Sequence, residues 1–238
     1  VSSTVYDAAS NVVATVDPLG NRTSFSYDAL NRQSEIEDAE NGVTTFLFDS
    51  VGNRTVVIDS VGNRTTSVFD ALNREIEQID PLGNSATFAY DAVGRMESTT
   101  DRLGRRRDFT FDEAGRVTVE EWIESSSTVN TITWTYDANS NPLTVEDQNG
   151  IHTFTYDELD RQETVQDTNG VTLTFAYDPV GNRTVVEDSL GGTTTSTYNA
   201  VNLLTKREFD DGTTEVRLDQ EYTARNELSK TTRYSDLA

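Results

Sequence analysis

Short runs of alternating apolar and polar residues, separated by polar turns, follow one another along the whole chain. Many runs contain two aromatic residues two positions apart, such as Phe88 and Tyr90, with a small or polar residue between them. Because side chains alternate between the faces of a strand, both aromatics lie on one face. The pattern predicts β-strands with one buried aromatic face, on which branched residues such as Val16, Ile58 and Ile79 fill the space between the rings.

An aromatic residue followed by Asp, or by a degenerate partner, recurs at intervals of 20 to 25 residues, most often 21. Eleven units start in this way, at Tyr6, Tyr27, Phe48, Phe69, Tyr90, Phe111, Tyr136, Tyr156, Tyr177, Tyr198 and Tyr222. We assign a structural role to these pairs, represented by Tyr27 and Asp28, Tyr90 and Asp91, Tyr136 and Asp137, Tyr156 and Asp157, and Tyr177 and Asp178. Residues 1–238 are expected to form a single repeat region, cut from a longer array.

Eight units contain a second Asp eleven residues after the aromatic, and a Gly usually follows three residues later, as at Asp59 and Gly62. Asp accepts hydrogen bonds from the backbone of a turn, and Gly adopts the positive φ angle that such a turn requires. Two turns per unit predict two antiparallel strands per unit. The expected fold is all-β, with about eleven hairpins in one long, curled antiparallel sheet, shell-like or solenoid-like.

These features together resemble the YD-repeat family, also called RHS repeats. The matching residues are the aromatic-Asp pairs, the residues that follow them, such as Gly94-Arg95 and Asn31-Arg32, and the Asp-x-x-Gly turns. Residues 111–135 and 198–221 depart from the pattern, with Trp122 and Phe209 in place of the second Asp. The resemblance implies a spiralling β-sheet shell, which in bacterial toxins encloses a C-terminal toxic domain.

The number of strands limits what this segment can enclose by itself. Roughly 20 strands at ~4.8 Å spacing form a sheet ~100 Å wide, and closing it would give a diameter of ~32 Å. Open sheets of more than about ten strands tend to curl. The enclosed volume would be smaller than a folded domain of ~100 residues needs. We therefore expect this segment to be one turn of a larger shell.

Composition excludes several classes of function. The chain has 41 acidic and 19 basic residues and a net charge of −22, which disfavours nucleic acids and anionic membranes as partners. It has no cysteine and one histidine, His152, so thiolate and multi-histidine metal sites are excluded. No apolar run approaches the ~20 residues of a membrane span, so no membrane insertion is expected.

No catalytic constellation is apparent, and we expect a protein without enzymatic activity or cofactor. The Asp-Pro-Leu-Gly runs at 17–20 and 80–83 resemble an element at which some RHS proteins cleave themselves, but their place within the array favours turns. The turns at Asp147, Asp167 and Asp210 offer oxygen ligands without the spacing of a calcium loop. Turn chemistry is the favoured interpretation, with weak calcium binding as the alternative.

Several arginines follow a turn directly and could bind a turn carboxylate or a neighbouring carbonyl. They are Arg32, Arg54, Arg64, Arg74, Arg95, Arg116, Arg161 and Arg183. The arginine-rich run at 102–107 is interpreted as a solvated turn, or otherwise as a basic contact patch. Residues 120–134 predict a hairpin whose loop is four residues longer, and Trp122 in this acidic loop could contact a sugar or a partner.

Two functions from different classes fit this sequence. The first is a structural shell segment of a secreted or cell-surface bacterial protein, with a polypeptide cargo or neighbouring repeat segments as partners. The second is an adhesive module that binds glycans or proteins. The array should have two unpaired edge strands, near Val1–Tyr6 and near Glu227–Tyr234. The first contains no charge and no proline to prevent edge pairing, so we also expect edge-to-edge self-association.

Overall fold

The computed structural model describes residues 1–235, and residues 236–238, the end of the predicted repeat region, lie outside that part. The described residues form 22 strands in one antiparallel sheet and no helix, so the predicted all-β fold is confirmed. The strands are β1 (Ser3–Tyr6), β2 (Val12–Val16), β3 (Arg22–Tyr27), β4 (Gln33–Glu37), β5 (Val43–Phe48), β6 (Arg54–Ile58), β7 (Arg64–Phe69), β8 (Glu75–Ile79), β9 (Ser85–Tyr90), β10 (Met96–Thr100), β11 (Arg106–Phe111), β12 (Val117–Glu124), β13 (Ser127–Tyr136), β14 (Pro142–Asp147), β15 (Gly150–Tyr156), β16 (Gln162–Gln166), β17 (Thr172–Tyr177), β18 (Arg183–Asp188), β19 (Thr193–Tyr198), β20 (Leu204–Asp210), β21 (Glu215–Tyr222) and β22 (Leu228–Ser235).

Consecutive strands pair with each other, as a chain of hairpins requires. Each of the strands β1 to β10 pairs with the next. The same holds from β13 to β22. The strands group into two compact units, Val1–Phe109 with Glu121–Val129, and Thr110–Glu120 with the chain from Asn130 onwards.

The turn after each aromatic-Asp pair has one recurring geometry. In the turn from Asp70 to Arg74, the N–H of Asn73 donates to the carbonyl of Asp70 over 3.0 Å, and the N–H of Asp70 donates to the carbonyl of Arg74 over 2.9 Å. Asn73 has a φ of 61°, the left-handed conformation that Asn and Gly tolerate best. This three-residue loop, a type I turn closed by a left-handed residue, is common in hairpins.

The strand register decides which residues share the aromatic face. Phe46 of β5 lies opposite Val57 of β6, whereas Thr45 lies opposite Ile58, on the other face. The expectation that Ile58 and its equivalents Val16 and Ile79 fill the space between the rings was therefore wrong. A bulge beside each of these turns adds one residue to the second strand of the hairpin, and a shift of one residue exchanges the two faces.

The aromatic face is less buried than the sequence predicts. Among the described hydrophobic side chains only Ala14, Val56 and Phe175 are buried, and no large side chain is completely buried. The rings of the aromatic-Asp pairs are half-buried, except that of Tyr6, which is 60% exposed. These rings pack against neighbours in the same sheet, which cannot remove both sides of a ring from water. Full burial of the aromatic stripe was thus a wrong expectation.

The irregular unit contains longer strands and not a longer loop. Strands β12 and β13 have eight and ten residues, and only Ser125 and Ser126 connect them. Both serines have positive φ, 49° and 65°, as a two-residue turn of type I′ requires. Trp122 therefore lies within β12 and not in an acidic loop, which corrects the prediction for residues 120–134.

Candidate functional site: the clasp between repeats

The Asp of each aromatic-Asp pair organises its own turn. Oδ1 of Asp70 accepts hydrogen bonds from the backbone N–H groups of Leu72 (2.8 Å) and Arg74 (3.0 Å), and Oδ2 accepts one from Nε of Arg74 (2.8 Å). The bonds from the backbone and then the guanidinium of Arg74 favour the carboxylate, so they hold the pKa of Asp70 below its usual value. The pKa is also lowered at the predicted site residues Asp28, Asp91, Asp137, Asp157 and Asp178.

The last residue of the turn connects its unit to the next one. The guanidinium of Arg32 is held by Asp28 (2.7 Å), and it also lies 4.6 Å from the centroid of the Phe48 ring in the following unit. Its Nη1 donates to the carbonyl of Asp49 over 3.1 Å. We call this set of contacts an arginine clasp. The guanidinium–ring contact recurs at 4.6 Å for Arg74 on Tyr90, Arg116 on Tyr136 and Arg161 on Tyr177.

Other units use asparagine at the same position. Nδ2 of Asn53 donates to Oδ2 of Asp49 and to Oδ1 of Asn73 in the next turn, both over 2.9 Å. We call this pair of bonds an asparagine clasp. It recurs from Asn11 to Asn31, from Asn141 to Asp160 and from Asn182 to Asn202.

The type of clasp is matched to the left-handed residue of the following turn. After asparagine clasps this residue offers a side-chain oxygen: Asn31, Asn73, Asp160 and Asn202. After the four arginine clasps it is small: Gly52, Gly94, Ser140 and Gly181. Asn is short and needs an acceptor that reaches towards it, whereas Arg reaches the next ring and backbone directly. A Cβ at Gly94 would lie 3.9 Å from Nη1 of Arg74, so the guanidinium already occupies the space that a longer side chain would enter.

The tyrosine of the pair bonds back to the preceding unit. The hydroxyl of Tyr90 donates to the carbonyl of Glu75 over 2.9 Å. Glu75 is the first residue after the clasp residue of the preceding unit. Equivalent bonds run from Tyr27 to Val12, from Tyr136 to Val117, from Tyr177 to Gln162, from Tyr198 to Arg183 and from Tyr222 to Leu204. Tyr156 is half-buried, and burial raises the pKa of its hydroxyl. A tyrosine therefore supplies a contact between units that phenylalanine lacks.

The sequence identified the arginines of the clasps but not all of their partners. Arg32, Arg74, Arg95, Arg116 and Arg161 bind the carboxylate of their own turn, as expected. Three others contact no turn carboxylate: Arg54 and Arg183 lie over Phe46 and Phe175, and Nε of Arg64 donates to Thr66. These three follow an asparagine that already bonds to the turn carboxylate. The matched residue in the next turn was missed, although its alternation with the clasp residue is readable within this one chain.

The carboxylates considered for chemistry take part in turns. Oδ1 of Asp17, in the first Asp-Pro run, accepts from the N–H groups of Leu19 and Asn21, as in the other turns. Asp147, Asp167 and Asp210 likewise accept from backbone N–H groups two residues on. Within residues 1–235 no group of three or more His, Cys, Asp or Glu side chains is placed to hold a metal ion.

Three segments of this chain match the model of a known protein family. A family model described as RHS repeat matches residues 6–41, 69–105 and 136–172. These three segments are RHS repeats. The three matched segments include the turns at Asp28, Asp91 and Asp157, whose arginines make the contacts described above. No curated protein matches its sequence.

Solved structures show where the same fold occurs. The crystal structure of TcdB2-TccC3-TEV is similar with a TM-score of 0.81 and 16% identity over 98% of this chain. TcdB2-TccC3 without its hypervariable C-terminal region gives 0.79 and 16% over 99%. The Tc holotoxin pore of Photorhabdus luminescens with a mutated TccC3 gives 0.58 and 15% over 98%. This chain spans only 15–16% of those chains, and at such identities the likeness concerns the fold.

Proposed function

We propose that this chain is a non-catalytic wall segment of a bacterial RHS shell, secreted or on the cell surface, which encloses or displays a polypeptide such as a C-terminal toxin. The observation that carries the proposal is the repeated clasp. Each arginine or asparagine clasp joins neighbouring hairpins on one end of the strands, and tyrosine hydroxyls add a bond in the opposite direction. Such lateral bonds strengthen a wall of hairpins without forming a reaction centre.

The turns of the first compact unit present apolar side chains to solvent, which supports contacts with neighbouring repeat segments. The third residue of most turns is an exposed Leu or Val, such as Leu30 (68%), Leu72 (70%) and Leu82 (87%). Since equivalent turns are two strands apart, these apolar side chains repeat every ~10 Å along the ends of the strands. A row of exposed apolar residues is typical of a surface that contacts another polypeptide. The curling of the sheet into a shell stays a prediction.

Protease protection tests the proposal on the full-length natural protein that contains these repeats. We expect trypsin to leave an enclosed polypeptide intact in the native protein and to digest it once the wall is opened. Opening is achieved by replacing the clasp arginines, as in Arg74→Ala with Arg161→Ala. Arg64→Ala with Arg183→Ala is the matched control, because it removes the same charge without removing a clasp to a turn carboxylate.

The outcomes of this experiment are distinct. Protection that is lost in the clasp variant and kept in the control supports the shell function. A native protein in which trypsin digests every segment outside the repeats at the rate of an unfolded chain would contradict it. Cell fractionation of the producing bacterium tests the location, and a protein found only in the cytosol would contradict the proposed secretion or surface display.

A further inference from the structure

One side of a cavity in the sheet is lined by the longer hairpin β12–β13. The cavity has a volume of about 230 Å³ and is open to solvent. Its lining residues all belong to the first compact unit, and they come from β12 and from the region of the β10–β11 turn. A side chain from an irregular hairpin and the most arginine-rich stretch of the chain, residues 102–107, thus meet at one place.

Trp122 supplies the apolar wall of this cavity. Its side chain is 41% exposed, which is unusual for an indole that serves only packing. The guanidinium of Arg107 lies 5.6 Å from the ring centroid. Arg107 stands opposite Thr99, and Thr99 stands opposite Phe88, so this part of the cavity lies on the aromatic face of the sheet.

The polar side chains around the indole include both donors and acceptors. Arg105 has a half-exposed guanidinium, 57% of its side chain being accessible, and it is held 2.6 Å from the carboxylate of Asp101. Glu124 adds a second carboxylate and Thr99 a hydroxyl. Arginine only donates, carboxylates only accept, and hydroxyls do both. A ligand with several hydroxyl groups can satisfy all of them at once.

We propose that this cavity binds one pyranose unit of a saccharide. A pyranose has an apolar face of C–H groups that can cover an exposed indole, and a rim of hydroxyls that can bond to Arg105, Asp101 and Glu124. A volume near 230 Å³ holds one sugar ring and not a longer segment. The carboxylates in the lining, together with the net charge of −22, disfavour an acidic peptide or a nucleic acid in the same place.

Tryptophan fluorescence can report on the cavity directly, because the chain contains only two tryptophans. In a Trp134→Phe variant, Trp122 is the only tryptophan, and excitation that tyrosine does not absorb reports on it alone. Cellotriose, chitotriose and trigalacturonate are titrated separately to about 50 mM, since isolated single-ring sites bind with Kd values of the order of 1 mM. We expect a saturable change in emission with at least one of the three saccharides. Which of them binds shows whether the cavity prefers neutral or acidic sugars.

Calorimetry on variants locates the binding. Trp122→Ala is expected to lose at least tenfold in affinity, and Arg105→Gln and Glu124→Gln at least threefold each. Arg22→Gln, which makes the same charge change on exposed Arg22 of β3, is the control and should bind as the parent does. Circular dichroism verifies that each variant keeps its strands.

Three results would overturn the saccharide site. They are the absence of saturable binding by all three probes, an affinity that Trp122→Ala leaves unchanged, and binding of a pentaglutamate peptide without binding of any sugar. The third would identify an acidic peptide as the ligand instead. This site does not depend on the shell function, because protease protection and sugar binding are measured separately.

Discussion

At the residue scale, one side chain after each aromatic-Asp turn takes part in two units at once. Arg74 binds Asp70 of its own turn and lies over the ring of Tyr90 in the next. A cation over an aromatic face contributes ~0.5–2 kcal/mol, and a long stem that packs on apolar surface adds to that. The contribution repeats at several interfaces, so the turns that the sequence marks most clearly are also the places where neighbouring units are joined.

Replacing a clasp arginine should lower the free energy of unfolding more than replacing another arginine does. We expect Arg74→Ala to lower the free energy of unfolding by ~1–2 kcal/mol, because the contact with Tyr90 and the packing of the stem are lost. Arg64→Ala, which removes the same charge but only a hydrogen bond to Thr66, should cost less than ~0.5 kcal/mol. Urea denaturation measures both, and equal losses would show that the clasp contributes nothing specific.

Where phenylalanine replaces the tyrosine of an aromatic-Asp pair, as at Phe48, the hydrogen bond from the ring hydroxyl to the preceding unit is absent. We expect Phe48→Tyr to raise the free energy of unfolding by ~0.5–1.5 kcal/mol, since the new hydroxyl can donate to the carbonyl of Gln33, as Tyr90 does to Glu75. Phe46→Tyr, two residues earlier on the same face, is the control and should bring no gain. Urea denaturation of the two variants is the measurement, and a gain in both would point to a general effect of the hydroxyl.

At the element scale, the hairpins differ in how well their turns suit their residues. Most turns place Gly or Asn at the left-handed position. The β12–β13 turn instead places Ser125 and Ser126 there, and a left-handed conformation costs ~1–2 kcal/mol for a residue other than Gly or Asn. The hairpin that carries Trp122 therefore has the least favourable turn chemistry, although its strand β13, with ten residues, is the longest in the described part of the chain.

Better turn residues should stabilise this hairpin. Ser125→Asn combined with Ser126→Gly matches the preferred sequence of a type I′ turn, and we expect a gain of ~1 kcal/mol. The same pair of residues placed at Val129 and Asn130, within β13, should destabilise, because Gly weakens a strand. Thermal unfolding followed by circular dichroism compares the two, and a loss of stability with the turn replacement would contradict the assigned turn.

At the scale of the whole molecule, acidity should act through the turn aspartates. The pKa lies below the ordinary 3.8 at many of them, as at Asp70, whose carboxylate accepts bonds from the backbone and side chain of Arg74. An aspartate whose pKa is lower in the folded state than in the unfolded state stabilises the fold above its unfolded-state pKa. This stabilisation is lost as the pH falls through its folded-state pKa. The repulsion from the net charge of −22 at pH 7 acts in the opposite direction, since it weakens towards the isoelectric point near 4.2.

We therefore expect stability to change little between about pH 7 and pH 5 and to fall steeply below pH ~3.8. Urea denaturation at pH 7, 5 and 3 measures this. Asp70→Asn should be less stable than the parent at pH 7, and the difference should narrow at pH 3, because the stability that a lowered pKa contributes decreases once the pH is below the unfolded value. A protein that is most stable at pH 3 would contradict the role of these carboxylates.

The outer strand β1 should promote association of the 238-residue chain. All four residues of this strand are exposed, and it contains no charge and no proline. The net charge opposes association, so we expect sedimentation to show larger species as the salt concentration rises. Val5→Lys should reduce them, whereas Ser2→Lys, outside the strand, should not. A strict monomer at low and high salt would exclude edge pairing.

The sequence by itself determined the repeat, the turns and the strands, because these depend on residues close together in the chain. Asp at the start of a turn and Gly or Asn three residues later specify the hairpin locally. Period-two aromatics then specify the strands and the shared face of each pair. The aromatic-Asp pairs and the clasp arginines were also identified from the sequence, since both recur at fixed places in the repeat.

Only the tertiary structure decided how neighbouring units fit together. The bulge beside the turn at Asp49 places Ile58 on the face opposite that of Phe46. The spacing of residues in the sequence does not reveal the extra residue of this bulge. The match between Asn53 and Asn73 depends on contact between side chains 20 residues apart. The half-burial of the rings and the cavity beside Trp122 likewise depend on which strands lie next to each other, and a local pattern does not contain that information.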